Sequence, residues 1–467
     1  MTLPKLAPLT IPVRCAPKTA PCPTCGRQGR RRRLLRRRVR SLAYQRVVWL
    51  QVTYAEYRAR CACRKTFRTH PADIPPKADY DHAVRRAVLD RLLRDGLNVE
   101  RTRQALRRDF LLELSTGFVY DCLRWQVAQL DLAEHRQLIL RRFSGTLCVD
   151  ELHLGAYTLL LATDPLADLP VAFALVSAND QEHMGRFLAN LRAWGLAPRV
   201  VVTDGSGLYP ALLAQLWPQA KHQLCVFHVL RDVNELILKA IRRLRRGLAR
   251  RGNAGRKRRR GRPSRARQAA RRRRGPTAKE KAAFVFRHRH LIVKRTDALG
   301  KAGWGDLVRM FEYLPGLRVL WRFASDVRDL FAEGLSPQTA WRRRAALLRG
   351  EDYRRVPELV EAMGMLAAEK FAKMVAFVYS PAGQRVRTNN HVERANRRLR
   401  FAEKVRYKWR RRRWVVRYVL LALDRWWSEA AQAEAAEEPG APAPTECRPK
   451  RAKPQRETTT RNRRLAG

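Results

Sequence analysis

Between residues 146 and 228 the apolar positions come in short unbroken runs. TLCVDELHLG (146–155) is followed by YTLLLATD (157–164) and LPVAFALVSAND (169–180), with short turns between them. A helix-like segment, 181–195, precedes PRVVVTDGS, in which Val200 to Val202 read as a buried strand ending on Asp204, Gly205 and Ser206. A helix over 208–216 and a fifth strand over Lys221 to Leu224 complete the pattern. Runs rich in Val, Leu and Ala, bounded by Gly, Pro, Asn and Asp, predict an α/β sheet covered on both faces.

Elsewhere the spacing is helical. Val84, Val88, Leu92 and Leu93 fall three and four residues apart, Leu106 follows, and the pattern breaks around Leu114 to Gly117 before a helix over 118–127. Ser115 or Thr116 is placed to cap that helix. The layout reads as a helix-turn-helix whose second helix turns Ser115, Thr116, Tyr120 and Arg124 toward a major groove; a plain small helical bundle is the other reading. From 284 to 377 the chain is helical again, with Trp304, Phe311, Leu314, Leu317, Leu320, Trp321, Phe323 and Leu330 as its expected core. Glu393 begins a helix within TNNHVERANRRLR (388–400), and a basic, then apolar-aromatic helix follows, packed through Val415, Val419, Leu420 and Leu423. Two stretches carry too few large apolar residues to bury a core and are expected to be disordered: 242–274, which is dominated by arginine, and the tail from about 430 to 467. Within the first, Arg260-Gly261-Arg262-Pro263 has the form of a minor-groove AT-hook core, although a further piece of basic tract is the simpler reading.

Charge narrows the choice of partner. The 467 residues carry a net charge of +55, which calls for a polyanion, nucleic acid first. No apolar run approaches the length of a membrane span and no signal-peptide pattern is present, so a cytoplasmic, nucleoid-associated protein is expected. The nine cysteines, an odd number, argue against a disulfide framework. Cys22-Pro-Thr-Cys25-Gly is a metal-knuckle sequence, and Cys61-Ala-Cys63 supplies a second pair for a tetrahedral four-thiolate zinc site. Between them lies a hairpin-like stretch, 47–60, and the arginine run 30–40 is expected to face solvent or phosphate. Zinc would supply folding energy to a module this small; four thiols without a metal is the alternative. Cys15 reads as a bystander.

The carboxylates stand out from this apolar background. Asp150 interrupts an apolar strand, at a cost unless something pairs with it. If the first strand lies beside the fourth, both parallel, Asp150 and Asp204 meet near one end of the sheet. A glutamate from a later helix would then complete a three-carboxylate site for two Mg²⁺ ions, about 3.5–4 Å apart around a scissile phosphate. Glu393 is the preferred third acid. Asp232 and Glu235 remain alternatives, Asp164 and Asp180 face turns, and strand alternation puts Glu151 on the opposite face. Cys225 and His228 offer only two metal ligands, and read as a buried small residue and a residue of the site's rim.

CVDE around Asp150, VTDGS around Asp204, CVFH at Cys225 and His228, and NNHVERANRRLR around Glu393 together resemble the DDE transposases of bacterial insertion sequences, in the group with a zinc-binding module and a helix-turn-helix ahead of the core. The resemblance implies an RNase H-like mixed sheet interrupted by a long α-helical insertion, with Asp150, Asp204 and Glu393 binding Mg²⁺ (or Mn²⁺) and Cys22, Cys25, Cys61 and Cys63 binding Zn²⁺. It further implies cleavage at the element's terminal repeats and strand transfer by the freed 3′-hydroxyl. On this reading 1–77 is the zinc module, 78–140 the helix-turn-helix, 141–240 the first part of the catalytic core, 241–375 the basic linker and helical insertion, 376–430 the last part of the core, and 431–467 the tail. Double-stranded DNA is the expected partner of a homodimer or higher assembly. Arg260, Arg262, Asn390, Arg394 and Arg397 are further DNA-facing candidates. A non-catalytic DNA-binding protein and an RNase H-like nuclease without strand transfer are the rival readings.

Overall fold

The apolar runs form the strands they predict. A computed structural model describes residues 9–43, 46–59, 64–251, 275–405 and 411–437. Its larger architectural unit is a five-stranded mixed sheet of β6 (Thr146–Leu154), β7 (Tyr157–Asp164), β8 (Leu169–Val176), β9 (Val200–Thr203) and β10 (Lys221–Leu224). The strand order is β10-β9-β6-β7-β8: β7 runs antiparallel to β6 and β8, whereas β9 and β10 run parallel to β6. Leu147, Cys148, Val149, Leu159, Leu160, Leu161, Val201 and Val202 are fully buried, as expected of strands covered by helices.

The covering helices are α5 (Gln181–Ala193) and α6 (Tyr209–Leu216), with two that return from far along the chain, α15 (Asn390–Val405) on β6 and β7, and α16 (Arg412–Glu437) on β8. Val392, Ala395 and Leu399 of α15 and Val415, Val419 and Leu423 of α16 fall on helical spacing and enter the sheet's core. The last helix runs to Glu437, several residues into the stretch expected to be disordered, because an Ala- and Glu-rich sequence has a high intrinsic helix propensity.

Between β10 and α15 lies a helical body with its own core. It is built from α7 (Val226–Arg251), α8 (Ala278–His288), α9 (Lys301–Tyr313), α10 (Leu317–Asp329), α11 (Pro337–Arg349), α12 (Glu351–Arg354), α13 (Pro357–Gly364) and α14 (Ala368–Met374). Leu317, Leu320, Phe323 and Leu330 are buried in it, as expected, but Trp304 is 43% exposed and lies at its edge, where it meets Trp321 edge-on. The arginine-rich tract does not begin as disorder. Its first residues, 242–251, continue α7, because Leu244 still packs on this core and the Arg243 guanidinium is paired with the buried Glu358 carboxylate at 2.9 Å. Arg260 and Arg262 lie outside the described residues. Gln223 joins the two bodies: its buried amide donates to Met374 O at 2.8 Å and accepts from Phe377 N at 2.7 Å.

Ahead of the mixed sheet stand two smaller units. One is a sheet of β1 (Thr10–Cys15), β2 (Thr19–Pro21), β3 (Gln28–Ala43), β4 (Arg46–Ala59) and β5 (Thr66–Arg68), ordered β1-β4-β3-β2 with β5 on β4. The arginine run is therefore a strand. Arg30, Arg32, Arg36 and Arg38 face solvent as expected, while Val39 and Ser41 turn inward. Glu56, buried opposite, takes Arg33 and Arg68 as ion-pair partners; the hydrogen bond from Arg33 holds its carboxyl below the usual range. The other unit contains α1 (His82–Leu93), α2 (Val99–Phe110), α3 (Thr116–Val127) and α4 (Leu132–Arg142). The helical stretch expected before the break at 114–117 is thus divided in two by a turn through Gly96, whose φ is +68°. Ser115 caps α3 by accepting from Phe118 N at 3.1 Å. Val84, Val88, Leu106, Val119 and Leu123 share a core joined by Leu421 of α16.

Candidate active site

Strand register builds the site. Thr146, Leu147 and Cys148 of β6 pair with Val200, Val201 and Val202 of the parallel β9. The same offset carried two residues further sets Asp150 level with Asp204, just past the end of β9. There the chain turns through Gly205, at a φ of +101° that side chains disfavour, and Ser206 N donates to Asp204 Oδ1 at 2.9 Å.

Glu151 joins these two acids, against the expectation from alternation. Carboxylate oxygens of Asp150, Glu151 and Asp204 all lie within 4.8 Å of one another. Beyond Cys148, β6 has no β9 neighbour, so this edge of the sheet is open where the three acids meet. Burial is the main force raising the Asp150 pKa to about 6, with the charges of Asp204 and Glu393 adding to it. The Asn396 amide, donating to Asp150 Oδ2 at 2.8 Å, opposes the rise. Burial likewise lifts Glu151 to about 7, offset in part by the neighbouring Tyr209 phenol and reinforced by Asp204 and Asp150. Glu151 and the buried Tyr209 hydroxyl lie against each other at this edge. Crowded, desolvated carboxylates fit a hard divalent cation, which would restore all of them to the ionised state.

Glu393 arrives on the first turn of α15 and Asn396 follows three residues later, one turn along the same helical face. Its charge reaches Asp150, but its nearest cationic group is His228, with Oε1 3.8 Å from Nδ1. Cys225, His228 and Glu393 form a second group whose ligand atoms lie within 4.8 Å of one another. The Cys225 thiol, first, and the Glu393 carboxylate raise the His228 pKa against the effect of burial. Cys225 and His228 thus stand beside the acids and not apart from them. The other candidate acids are occupied elsewhere: Asp164 accepts from Ser144 N and Oγ, Asp180 caps α5, Asp232 pairs with Arg231, and Glu235 is exposed on α7. What the sequence missed is Asn396 and Tyr209. An amide on the helical face of Glu393 was the only available signal for the first, and nothing in the sequence marked the second.

Asn390, Arg394 and Arg397 are exposed, and their i, i+4, i+7 spacing puts them on one face of α15 beside the one carrying Glu393. On α3, Thr116 and Arg124 face solvent, the latter beside Asp121. The Ser115 hydroxyl is engaged in its cap, and Tyr120 is stacked on Trp414 with ring centroids 4.4 Å apart. The Cys22–Cys25 knuckle forms a tight turn, Gly26 N donating to Cys22 O at 2.8 Å, with Gly26 at a φ of +71°. Backbone amides, that of Thr24 foremost, hold the Cys22 thiol below its usual pKa, which suits a metal-binding thiolate. Cys61 and Cys63 lie outside the described residues. Among the described residues no helix is long and apolar enough to cross a membrane.

A family model described as a transposase, of the DDE ISL3 type, matches residues 147–413, more than half of the chain. No curated protein matches the chain.

Proposed function

The chain belongs to this transposase family, and we propose that it is an active DDE enzyme that binds the terminal repeats of its element, cleaves their strands with Mg²⁺ or Mn²⁺, and joins the freed 3′-hydroxyl to target DNA. The observation that carries the proposal is the β6–β9 register, which brings Asp150 and Asp204 together from either side of the intervening β7, β8 and α5. The strand order around them supports an RNase H-like reading of the mixed sheet.

In this proposal Asp150, Asp204 and Glu393 are the metal ligands, and Glu151 is a fourth carboxylate at the same edge. Bound cations supply activation of water or a 3′-hydroxyl and stabilisation of the leaving oxygen. The chain's own residues do the rest. Asn396 orients the Asp150 carboxylate and keeps its pKa from rising further; the Gly205 turn sets the angle of Asp204. Asn390, Arg394 and Arg397 hold the strand's phosphates alongside the acids, and the net charge of +55 draws the duplex in. The four-helix unit of α1 to α4 serves as the helix-turn-helix reader, with Thr116 and Arg124 on its exposed face. The β1–β5 sheet carries a structural Zn²⁺ at Cys22, Cys25, Cys61 and Cys63. The assembly on paired ends is a homodimer or larger.

The test is nicking of an end-containing duplex. It requires Mg²⁺ or Mn²⁺, and Asp150→Ala and Asp204→Ala abolish it while DNA binding persists. Cleavage retained by either variant defeats the proposal. Cleavage without joining of ends to target would reduce the protein to a nuclease.

A further inference from the structure

We propose that Cys225, His228 and Glu393 form a second metal site, selective for a thiophilic divalent cation of the Zn²⁺ class, that competes with the carboxylate site for Glu393. The inference rests on Glu393 being the third acid. A thiol, an imidazole and a carboxylate are a donor set for Zn²⁺, whereas Mg²⁺ takes oxygen ligands alone. The three ligand atoms could stand at three of the four corners of a tetrahedral site. Zinc bonds of about 2.0–2.3 Å put neighbouring ligand atoms roughly 3.3–3.6 Å apart. Here the three ligand atoms lie within 4.8 Å of one another and the His228–Glu393 separation is 3.8 Å. Glu393 Oε1 is buried without a hydrogen-bond partner, and the His228 ring is engaged by the Cys225 thiol.

The scaffold is rigid on the cysteine side. Cys225 is fully buried; its N–H donates to Thr203 O at 2.8 Å and its sulfur accepts from Asn389 N at 3.2 Å. Thr203 directly precedes Asp204, and Asn389, which itself donates to Val149 O at 3.0 Å, lies one residue before α15. The two sites therefore hang from the same backbone at β6, β9 and the start of α15. Glu393 lies between them, near enough for its charge to act on Asp150. One carboxylate ligating a cation beside Cys225 and His228 is withdrawn from the cation beside Asp150 and Asp204. Zn²⁺ at the second site thus holds the transposase inactive, and its removal frees the third acid.

The full-length protein is titrated with Co²⁺ and followed by thiolate-to-cobalt charge-transfer absorption, in the wild type, Cys225→Ser and His228→Ala. Any metal held by the amino-terminal cysteines is common to all three, so the difference reports the second site alone. His228 lies at the rim, its side chain 17% exposed, and its truncation is a safeguard should the buried cysteine variant fold poorly. The wild type is expected to bind one more Co²⁺ per chain than either variant, with affinity lowered at least about 100-fold in the variants, the upper end for loss of even an outer-shell partner. Mg²⁺-dependent cleavage is expected to be inhibited by added Zn²⁺ in the wild type and to resist it in Cys225→Ser. Equal cobalt stoichiometry and equal charge-transfer intensity in all three proteins would overturn the inference. The cobalt measurement needs no cleavage activity, so its outcome stands apart from that of the proposed function.

Discussion

Replacing Asp150 by Asn should make the cation-free protein more stable while it destroys cleavage. The rise of the Asp150 pKa from its ordinary 3.8 to about 6 means that the folded protein holds this proton more tightly than the unfolded chain does. For an acid raised in this way, stability is lost as pH climbs from about 4 to about 6, and the loss is complete above that window. At about 1.4 kcal/mol per pH unit it reaches about 3 kcal/mol at pH 8, and about half that near pH 5. Asn removes the ionisation but retains an oxygen that can still accept from Asn396 Nδ2. It also relieves Glu151 and Asp204 of a neighbouring charge. The assay is calorimetry in EDTA at pH 8 and pH 5, wild type against Asp150→Asn. At about 2–4 °C per kcal/mol for a body of this size, a gain of several degrees is expected at pH 8, shrinking at pH 5 and shrinking again when Mg²⁺ is added to both proteins. A variant that melts below the wild type at pH 8, or gains equally at both pH values, would refute the argument that a desolvated, mutually repelling acid cluster is held in the fold.

Two further changes probe the neighbourhood and the fold. Asn396→Ala removes the side-chain hydrogen bond that opposes the rise of the Asp150 pKa, so the acid limb of the cleavage pH profile should move to higher pH, with DNA binding unaltered; an unmoved profile would separate Asn396 from the site. Ser115→Ala deletes the cap of α3 and should cost about 1 kcal/mol in the four-helix unit, seen as earlier loss of helical signal in urea; no change would mean that the cap is redundant.

The strands of the mixed sheet were legible because Val, Leu and Ala runs ending on Gly, Asp or Pro have few other destinations, and the 221–224 strand was found with its observed ends. The meeting of Asp150 and Asp204 was legible too, because it needs only strand direction and register. Glu151 was set aside because alternation fixes which face a side chain leaves from and not how close a carboxylate at the end of a glutamate comes to acids at the sheet's open end. The arginine tract was read by average composition, and that average hid Leu244 and the partner Arg243 finds more than a hundred residues away in Glu358. Trp304 was assigned to the core on hydrophobicity alone, which does not reveal that its turn of helix lies at the rim of the bundle. Asn396 and Tyr209 acquire meaning only once α15 and α6 are seen against the sheet.

α7 also acts as a ruler. Its 26 residues, at about 1.5 Å each, make a rod roughly 39 Å long from the chemistry beside His228 to Arg250 at its far end, within the basic tract. Duplex DNA advances about 3.4 Å per base pair, so a molecule touching both ends is gripped over about eleven pairs, close to one turn. The strand face presented to the acids and the groove presented to the arginines are then in fixed phase, and inserting half a turn of duplex between the cut and the distal contacts would set them on opposite sides of the helix.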